Sequence, residues 1–241
     1  MMKPLVAITG ASSGFGRAMA VTFNQAGYPL VLMARRIEKL EELGLDHTIC
    51  EKVDVRDKAA FESAIRKAEA IYGKVDLLIN NAGLMQLGDI ATQDPKEWQD
   101  MLAINVLGVL NGMQIVMNDM KERRGGTIIN FSSLAGVKAF PNHAAYCASK
   151  YGVIGLSETA RQELSAYHVR VMRLLPGAVQ TELLSHTTDE KIKKAYSSYN
   201  DSLGMGAISA EHIAQTVKFA YEMPQGVNLR EIQIADTMQD A

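Results

Sequence analysis

Cysteine is almost missing from this chain: among 241 residues there are two, Cys50 and Cys147. They lie far apart and join no C-x-x-C or Cys/His cluster, which excludes a disulfide framework and a thiolate zinc site and fits a reducing cytoplasm. The five histidines show no metal-ligand spacing either, so no metal is expected. An excess of one charge is also lacking, since 25 basic residues oppose 27 acidic ones. That balance offers no electrostatic footprint for nucleic acid or an anionic membrane surface. No long hydrophobic run is present at the N-terminus, where Met1-Met2-Lys3-Pro4 leads into a short apolar stretch that breaks at Gly10. It is too brief for a signal peptide or a membrane span. No repeat at solenoid spacing and no low-complexity tract appears.

What is present is a chain that is 47% hydrophobic, enough to bury one large core, so one domain over 1–241 is expected. Short β-rich apolar runs occur at Leu5–Thr9, Leu30–Ala34, Val75–Asn80, Thr127–Ser132 and Val169–Leu175, with weaker ones at Thr48–Val53 and Leu229–Ala235. Helix-like stretches of crossover length separate them. Runs apolar on both faces and joined by helices predict an α/β fold: a doubly wound, Rossmann-type parallel sheet of about seven strands with helices on both sides. In such a sheet ligands bind beyond the carboxyl ends of the strands. Polar residues collect at those ends: Gly10–Gly16, Arg35-Arg36, Asp54, Asn80–Gly83, Ser132-Ser133 and Pro176–Thr181. The polar stretch Ser185–Gly206 interrupts the rhythm and closes with Gly204-Met205-Gly206, so a substrate lid is expected at 178–208, with an inert surface excursion as the alternative.

The segment Thr9-Gly10-Ala11-Ser12-Ser13-Gly14-Phe15-Gly16 follows a strand and opens a helix, as a phosphate-binding loop requires. Gly10 permits the tight turn, Gly14 lets backbone approach a pyrophosphate, and Gly16 allows close helix packing, with Ser12, Ser13 and Phe15 between them. Gly16-Arg17-Ala18 does not end the loop as a Walker motif would. After the second strand, an NAD enzyme needs a carboxylate for the ribose hydroxyl, whereas this chain has Arg35-Arg36. Arginine suits a 2′-phosphate, so NADP is expected. The plainer possibility is that Arg35 and Arg36 are solvated residues opening a surface helix.

Tyr146 and Lys150 stand at i and i+4 and so share one face of the helix running on through Leu164. A free phenol titrates near about 10, and a nearby ammonium would lower it toward useful acid–base work. In isolation such a pair is ordinarily an exposed aromatic and a solvated charge. Here Ser133 stands just upstream at the end of a strand, and Asn105 lies inside the apolar run Ala103–Leu107, where its burial demands partners.

These residues resemble the short-chain dehydrogenase/reductase family over nearly the whole chain. The family's TGxxxGxG matches Thr9–Gly16, its NNAG matches Asn80–Gly83, its active-site Asn matches Asn105, and its catalytic Ser and YxxxK match Ser133 and Tyr146–Lys150. Its PGxxxT matches Pro176–Thr181. Within the family, Arg35-Arg36 and the C-terminal Val227–Ile232 resemble the bacterial NADP-dependent 3-hydroxy acid (serine-type) dehydrogenases. The chain departs from many NADP-preferring relatives in having Ser13 in place of a basic residue, which leaves a 2′-phosphate to Arg35 and Arg36. The segment Ile37–Gly44 is short for the family's second helix.

The resemblance implies hydride transfer between NADP(H) and a small alcohol or carbonyl substrate, with Tyr146 as the proton donor and acceptor. Ser133 would hold the carbonyl oxygen, Lys150 would lower the tyrosine pKa and hold the nicotinamide ribose, and Asn105 would organise a proton relay. Asp54 and Val55 would flank the adenine, Asn81, Ala82 and Gly83 the adenosine ribose, and Pro176, Gly177, Val179 and Thr181 the nicotinamide end. Asp54 as a helix cap and Asn80-Asn81 and Pro176-Gly177 as ordinary turns are the duller alternatives. A homotetramer or homodimer packing through 105–120 and 146–164 is implied as well. Short hydroxy acids are the first expectation for substrate and a bulkier ketone the second, with Lys138, Lys191, Lys193 or Lys194 as anchor for a carboxylate. Phe140 and Met85 are candidates for the pocket wall. His143 reads as a loop residue, or else as one facing the substrate. The rivals are a catalytically idle NADP-binding redox sensor or interaction protein, and a methyltransferase or other nucleotide binder.

Overall fold

All five residues of β1 (Leu5–Thr9) are buried, and they divide by parity: Leu5 and Ala7 enter one apolar cluster, Val6 and Ile8 another. A strand can do this only if both faces of its sheet are covered. In a computed structural model that describes residues 3–179, 182–202 and 208–239, β1 joins β2 (Leu30–Ala34), β3 (Thr48–Lys52), β4 (Val75–Asn80), β5 (Thr127–Phe131), β6 (Arg170–Pro176) and β7 (Glu231–Ile234). Every pairing is parallel, and the order is β3-β2-β1-β4-β5-β6-β7. The order reverses between β1 and β4, where the crevice of a doubly wound sheet opens.

The helices are α1 (Gly14–Gln25), α2 (Ile37–Glu41), α3 (Lys58–Tyr72), α4 (Pro95–Leu102), α5 (Gly108–Glu122), α6 (Ala144–Ser165), α7 (Glu190–Ser202) and α8 (Ala210–Glu222). Residues of α3, α5 and α6 build the cluster on one face of the sheet, and residues of α1, α2 and α8 that on the other. Asp57, not Asp54, caps α3 by accepting from the Ala60 N–H at 3.0 Å. α2 is only one and a half turns, as the short Ile37–Gly44 segment foretold. A π-helical turn, Ala103–Leu107, joins α4 to α5. By length and composition alone the continuous helix Pro95–Glu122 would cross a membrane. Its Met101, Val109, Met113, Val116 and Met120 are buried against the rest of the protein, a pattern that core helices share.

The largest departure from expectation is in the polar stretch after β6. It holds a 3₁₀ turn, Glu182–His186, followed by α7, a helix of 13 residues. Ile192 and Tyr196, four apart on one side of α7, pack on a third apolar cluster that contains Leu84, Met85, Leu87, Met101 and Tyr146. Thr187 ties this segment down, its hydroxyl accepting from the Leu87 N–H at 3.2 Å.

One buried charge fastens the last helix to the sheet. Arg170, on β6, donates to the Tyr221 and Met223 carbonyls at 2.8 Å each and to the Thr127 hydroxyl at 3.0 Å. It thereby satisfies the carbonyls that the end of α8 leaves without helical partners. Replacing Arg170 by Leu strands those acceptors in the interior and costs about 2–4 kcal/mol. The expected result is a fall in melting temperature of roughly 4–16 °C for a protein of this size, measured by calorimetry or circular dichroism.

Candidate active site

The loops that follow β1 and β4 are stitched together at the reversal of strand order. The Thr9 hydroxyl accepts from the Asn81 and Ala82 N–H groups, both at 3.0 Å, and donates to the Ile79 carbonyl. In return the Asn81 amide donates to the Thr9 and Gly10 carbonyls at 2.9 and 3.2 Å. Asn81 therefore shapes the glycine loop itself. Gly10 and Gly14 both take positive φ, 66° and 50°, a region that side chains resist. At Gly16 an added Cβ would strike the Gly10 carbonyl oxygen, so the helix packs where only glycine fits. Asn80 points the other way, donating to Asn130 within the core, and is structural.

The stitched loops wall a cleft of about 290 Å³ lined by Gly10, Ser12, Ser13, Gly14, Phe15, Arg35, Arg36, Asp54, Val55, Asn81, Ala82 and Gly83, and reaching Tyr146 and Lys150. α1 opens onto it with no acidic residue in its first turn, leaving its N-terminal N–H groups and positive dipole end for an anion. At the far end, the Arg36 guanidinium donates to the Ser12 and Ser13 hydroxyls at 3.3 and 3.2 Å and to the Glu182 carboxylate at 2.8 Å. Two hydroxyls and an arginine are a donor set suited to a phosphate. Asp54 is gripped by Arg56, whose hydrogen bonds hold its carboxyl below the usual range. The turn, the dipole and the donor set together fit a phosphorylated dinucleotide.

Tyr146 and Lys150 converge as the helical spacing requires: the ammonium lies 5.6 Å from the centroid of the phenol ring. Both are buried, at 6% and 5% exposure. The Lys150 ammonium donates to the Phe131 carbonyl at 2.9 Å, which takes one of its three protons and leaves donors for a ligand in the cleft. Burial pushes its pKa down to about 8. The phenol does not behave as expected from spacing alone. Burial drives its pKa above the usual tyrosine value, a hydrogen bond with Ser133 draws it part of the way back, and the ammonium does not offset the rise. The Ser133 oxygen accepts from the Ala135 N–H at 3.1 Å and the hydroxyl reaches the Pro176 carbonyl at 3.5 Å.

Asn105 is 1% exposed and lies in the π-helical turn, a feature frequent at functional sites. Its side chain is fully engaged: Oδ1 accepts from the Leu84 N–H at 2.8 Å, and Nδ2 donates to the Leu84 carbonyl at 2.8 Å and to the Ser149 hydroxyl at 2.9 Å. Ser149 in turn donates to the Tyr146 carbonyl at 2.7 Å. The amide thus couples the loop after β4 to α6.

A second cavity, about 550 Å³, opens on the other side of Tyr146. Ser133, Pro176, Gly177 and Val179 line this cavity and not the glycine-loop cleft, while Gly16 and Asn105 line neither. Thr181 and Gly204–Gly206 lie outside the described residues. Met85 and Phe140 are in the cavity wall, as is His143, whose ring lies 5.5 Å from that of Tyr196 and whose pKa is lowered by burial. Lys138, Lys191, Lys193 and Lys194 are not among its lining residues. Four contributors have no role assigned to them by the sequence: Thr9, Ser132, Ser149 and Glu182. Ser132 donates to the Lys150 carbonyl at 2.9 Å and lines both cavities. Its position beside Ser133 at a strand end was a legible signal; the partners of the other three are set by distant segments.

Comparison with known proteins agrees with this geometry. Residues 4–192 match the family model described as short chain dehydrogenase. An uncharacterized oxidoreductase of Staphylococcus saprophyticus is 36% identical over 241 residues, covering 98% of this chain and 96% of that protein. A sulfoacetaldehyde reductase of Chromohalobacter salexigens is 33% identical, with 99% and 96% covered. Among solved structures, the closed form of a serine dehydrogenase complexed with NADP+ superposes with a TM-score of 0.91 at 29% identity, covering 98% of this chain and 96% of that one. With its motifs, parallel sheet and paired cavities in agreement, the chain belongs to the short-chain dehydrogenase family of oxidoreductases.

Proposed function

We propose that the protein is an NADP(H)-dependent oxidoreductase that interconverts an alcohol and its carbonyl compound, with Tyr146 as the proton-transferring group. The observation that carries this reading is the place of Tyr146, whose side chain lines both the glycine-loop cleft and the larger cavity. One phenol faces a cofactor on one side and a substrate on the other. The nicotinamide dinucleotide, when bound, supplies or accepts the hydride. Because burial keeps the phenol protonated through neutral pH, Tyr146 is poised to give its proton to the carbonyl oxygen as the adjoining carbon is reduced. Ser133 supports it: its oxygen accepts from Ala135, and its single proton, held by a long 3.5 Å contact with the Pro176 carbonyl, turns to orient the substrate oxygen.

Lys150 supplies donors for the nicotinamide ribose, and its positive charge favours the phenolate that oxidation of an alcohol requires. Asn105 is a positioning residue that holds Leu84 and, through Ser149, the first turn of the Tyr146 helix. The glycine loop from Gly10 to Phe15 holds the pyrophosphate, Asp54 and Val55 flank the adenine, Asn81, Ala82 and Gly83 border the adenosine ribose, and Pro176, Gly177 and Val179 border the nicotinamide end. Arg36, with Ser12 and Ser13, takes the 2′-phosphate that separates NADP from NAD, and Arg35 adds charge from the same cleft. The NADP+ in the similar serine dehydrogenase supports that assignment. The segment 182–202 acts as the lid, and a homodimer or homotetramer forms over Leu102, Leu107 and Tyr151, which are exposed on the α4–α5 and α6 faces. The two free cysteines suit a reducing cytoplasm.

In NADPH oxidation with a panel of carbonyl compounds, Tyr146→Phe lowers kcat/KM by about 100-fold or more; a loss under about tenfold removes Tyr146 from proton transfer. Lys150 is charged below its pKa of about 8, so kcat/KM for NADPH falls as pH rises through that value. Lys150→Arg, charged throughout, moves this limb upward in a pH–rate profile. In calorimetric titration, Arg36→Ala weakens NADP binding by about 10–100-fold, the worth of charge-assisted hydrogen bonds, and leaves NAD nearly unchanged. Glu182→Gln, which frees Arg36 from an exposed ion pair, tightens NADP by up to about fivefold.

A further inference from the structure

The chemistry of the larger cavity differs from what a short acidic substrate needs. From the Ser133 and Tyr146 hydroxyls its walls run outward over Met85, Phe140, Val179, Ile192 and Tyr196. Among the described residues its lining contains no Lys and no Arg, and the one charged side chain is that of Asp201, an anion. His143 is held toward its neutral form by burial, which outweighs the opposing pull of the contact between its Nδ1 and the Pro141 carbonyl at 2.7 Å. The lysines nearest in sequence are turned to other work. Lys138 lies over the Phe140 ring, 5.9 Å from its centroid, and Lys193 pairs with Glu190 at 3.2 Å. A carboxylate or sulfonate drawn into this space would lose its hydration, find no counter-charge and meet Asp201.

The size is equally telling. At about 550 Å³ the cavity lies in the range of sites that bury most of a drug-sized ligand. A substrate as small as serine would leave most of it filled with water against apolar walls, with no gain from burial. Ile192, Tyr196 and Tyr199 all come from α7, together with Ser197, Asn200 and Asp201, so the lid contributes an aliphatic and aromatic roof with polar edges and no cationic anchor.

We infer that the substrate is an uncharged carbonyl compound, or its alcohol, with a bulky apolar body, an aryl or medium-chain alkyl ketone or aldehyde, and not a short hydroxy acid. This rests on the reading that Ser133 and Tyr146 mark the reacting end of the cavity. The carbonyl oxygen lies against those hydroxyls, and the apolar body extends beneath α7 between Met85 and Phe140.

The test has a catalytic and a non-catalytic arm. In NADPH oxidation, straight-chain methyl ketones of increasing length should gain about fourfold in kcat/KM per methylene until the cavity is full. The methyl ester of para-acetylbenzoate should be reduced at least about a hundredfold more efficiently than the free carboxylate. Ile192→Lys, a change in the roof and outside the proton-transfer machinery, should narrow that gap by tenfold or more. The non-catalytic arm titrates the NADP-bound enzyme with the same ester and carboxylate, followed by fluorescence of Trp98, the sole tryptophan, which packs on the apolar cluster below the cavity. Ester binding that is tighter than carboxylate binding is the expected result. If carbonyls are reduced but acids are preferred, or the two ligands bind equally, the substrate class is wrong and the oxidoreductase reading stands. If no carbonyl is turned over while the ester still binds selectively, the catalytic reading fails and the character of the cavity is upheld.

Discussion

A single buried hydroxyl holds the crevice of this protein in shape. The Thr9 oxygen accepts two consecutive N–H groups of the loop after β4 while its proton goes to the Ile79 carbonyl. With both loops tied to one atom, the glycine turn and the Asn81–Gly83 segment move as one body. The interior of a parallel sheet leaves few other ways to satisfy those donors, because water is excluded and the strands end there. The rigid crevice then gives Gly10, Gly14 and the first turn of α1 a fixed geometry toward a phosphate. Asn105 repeats the device one level up, gripping Leu84 by both its N–H and its carbonyl.

Electrostatics at the centre of the site is governed by desolvation more than by pairing. Lys150 and Tyr146 are both almost wholly buried, and burial disfavours the ammonium and the phenolate alike. Each is therefore pushed toward its neutral form, in opposite directions along the pH scale. The charge that would favour phenolate is itself weakened by the environment that makes the pair close. Ser133 is what pulls the phenol back toward its ordinary range, so the serine and the tyrosine form one unit. Elsewhere in the cleft the charges are exposed and modest. Arg36 is shared by two serines and Glu182, and Asp54 is held by Arg56.

The polar stretch after β6 shows how a helix can hide in a sequence. Its charges at Asp189-Glu190-Lys191 and Lys193-Lys194 mask the sparse apolar positions Ile192, Tyr196 and Tyr199, which recur at helical spacing. Only when α7 lies over the cavity do Ile192 and Tyr196 have a surface to bury against, with Tyr199 at its exposed rim. The same placement takes the lysines out of the lining, because they share the helix but not its inward face. The three lysines of α7 thus contribute no charge to the lining.

The sequence by itself determined the sheet, its parallel character, the glycine turn and the Tyr146–Lys150 pair. These depend on local periodicity: buried strands read as unbroken apolar runs, tight turns demand glycine, and a spacing of four places two side chains on one helical face. Tertiary structure alone decided which arginine meets Ser12 and Ser13, that Asn105 is spent on Leu84, that Glu182 reaches back to Arg36, and that the second cavity carries no cation among its described walls. Each of those outcomes joins segments far apart in the chain. Their energies hinge on burial and on the direction of a side chain, quantities that no single segment encodes until the whole chain has packed.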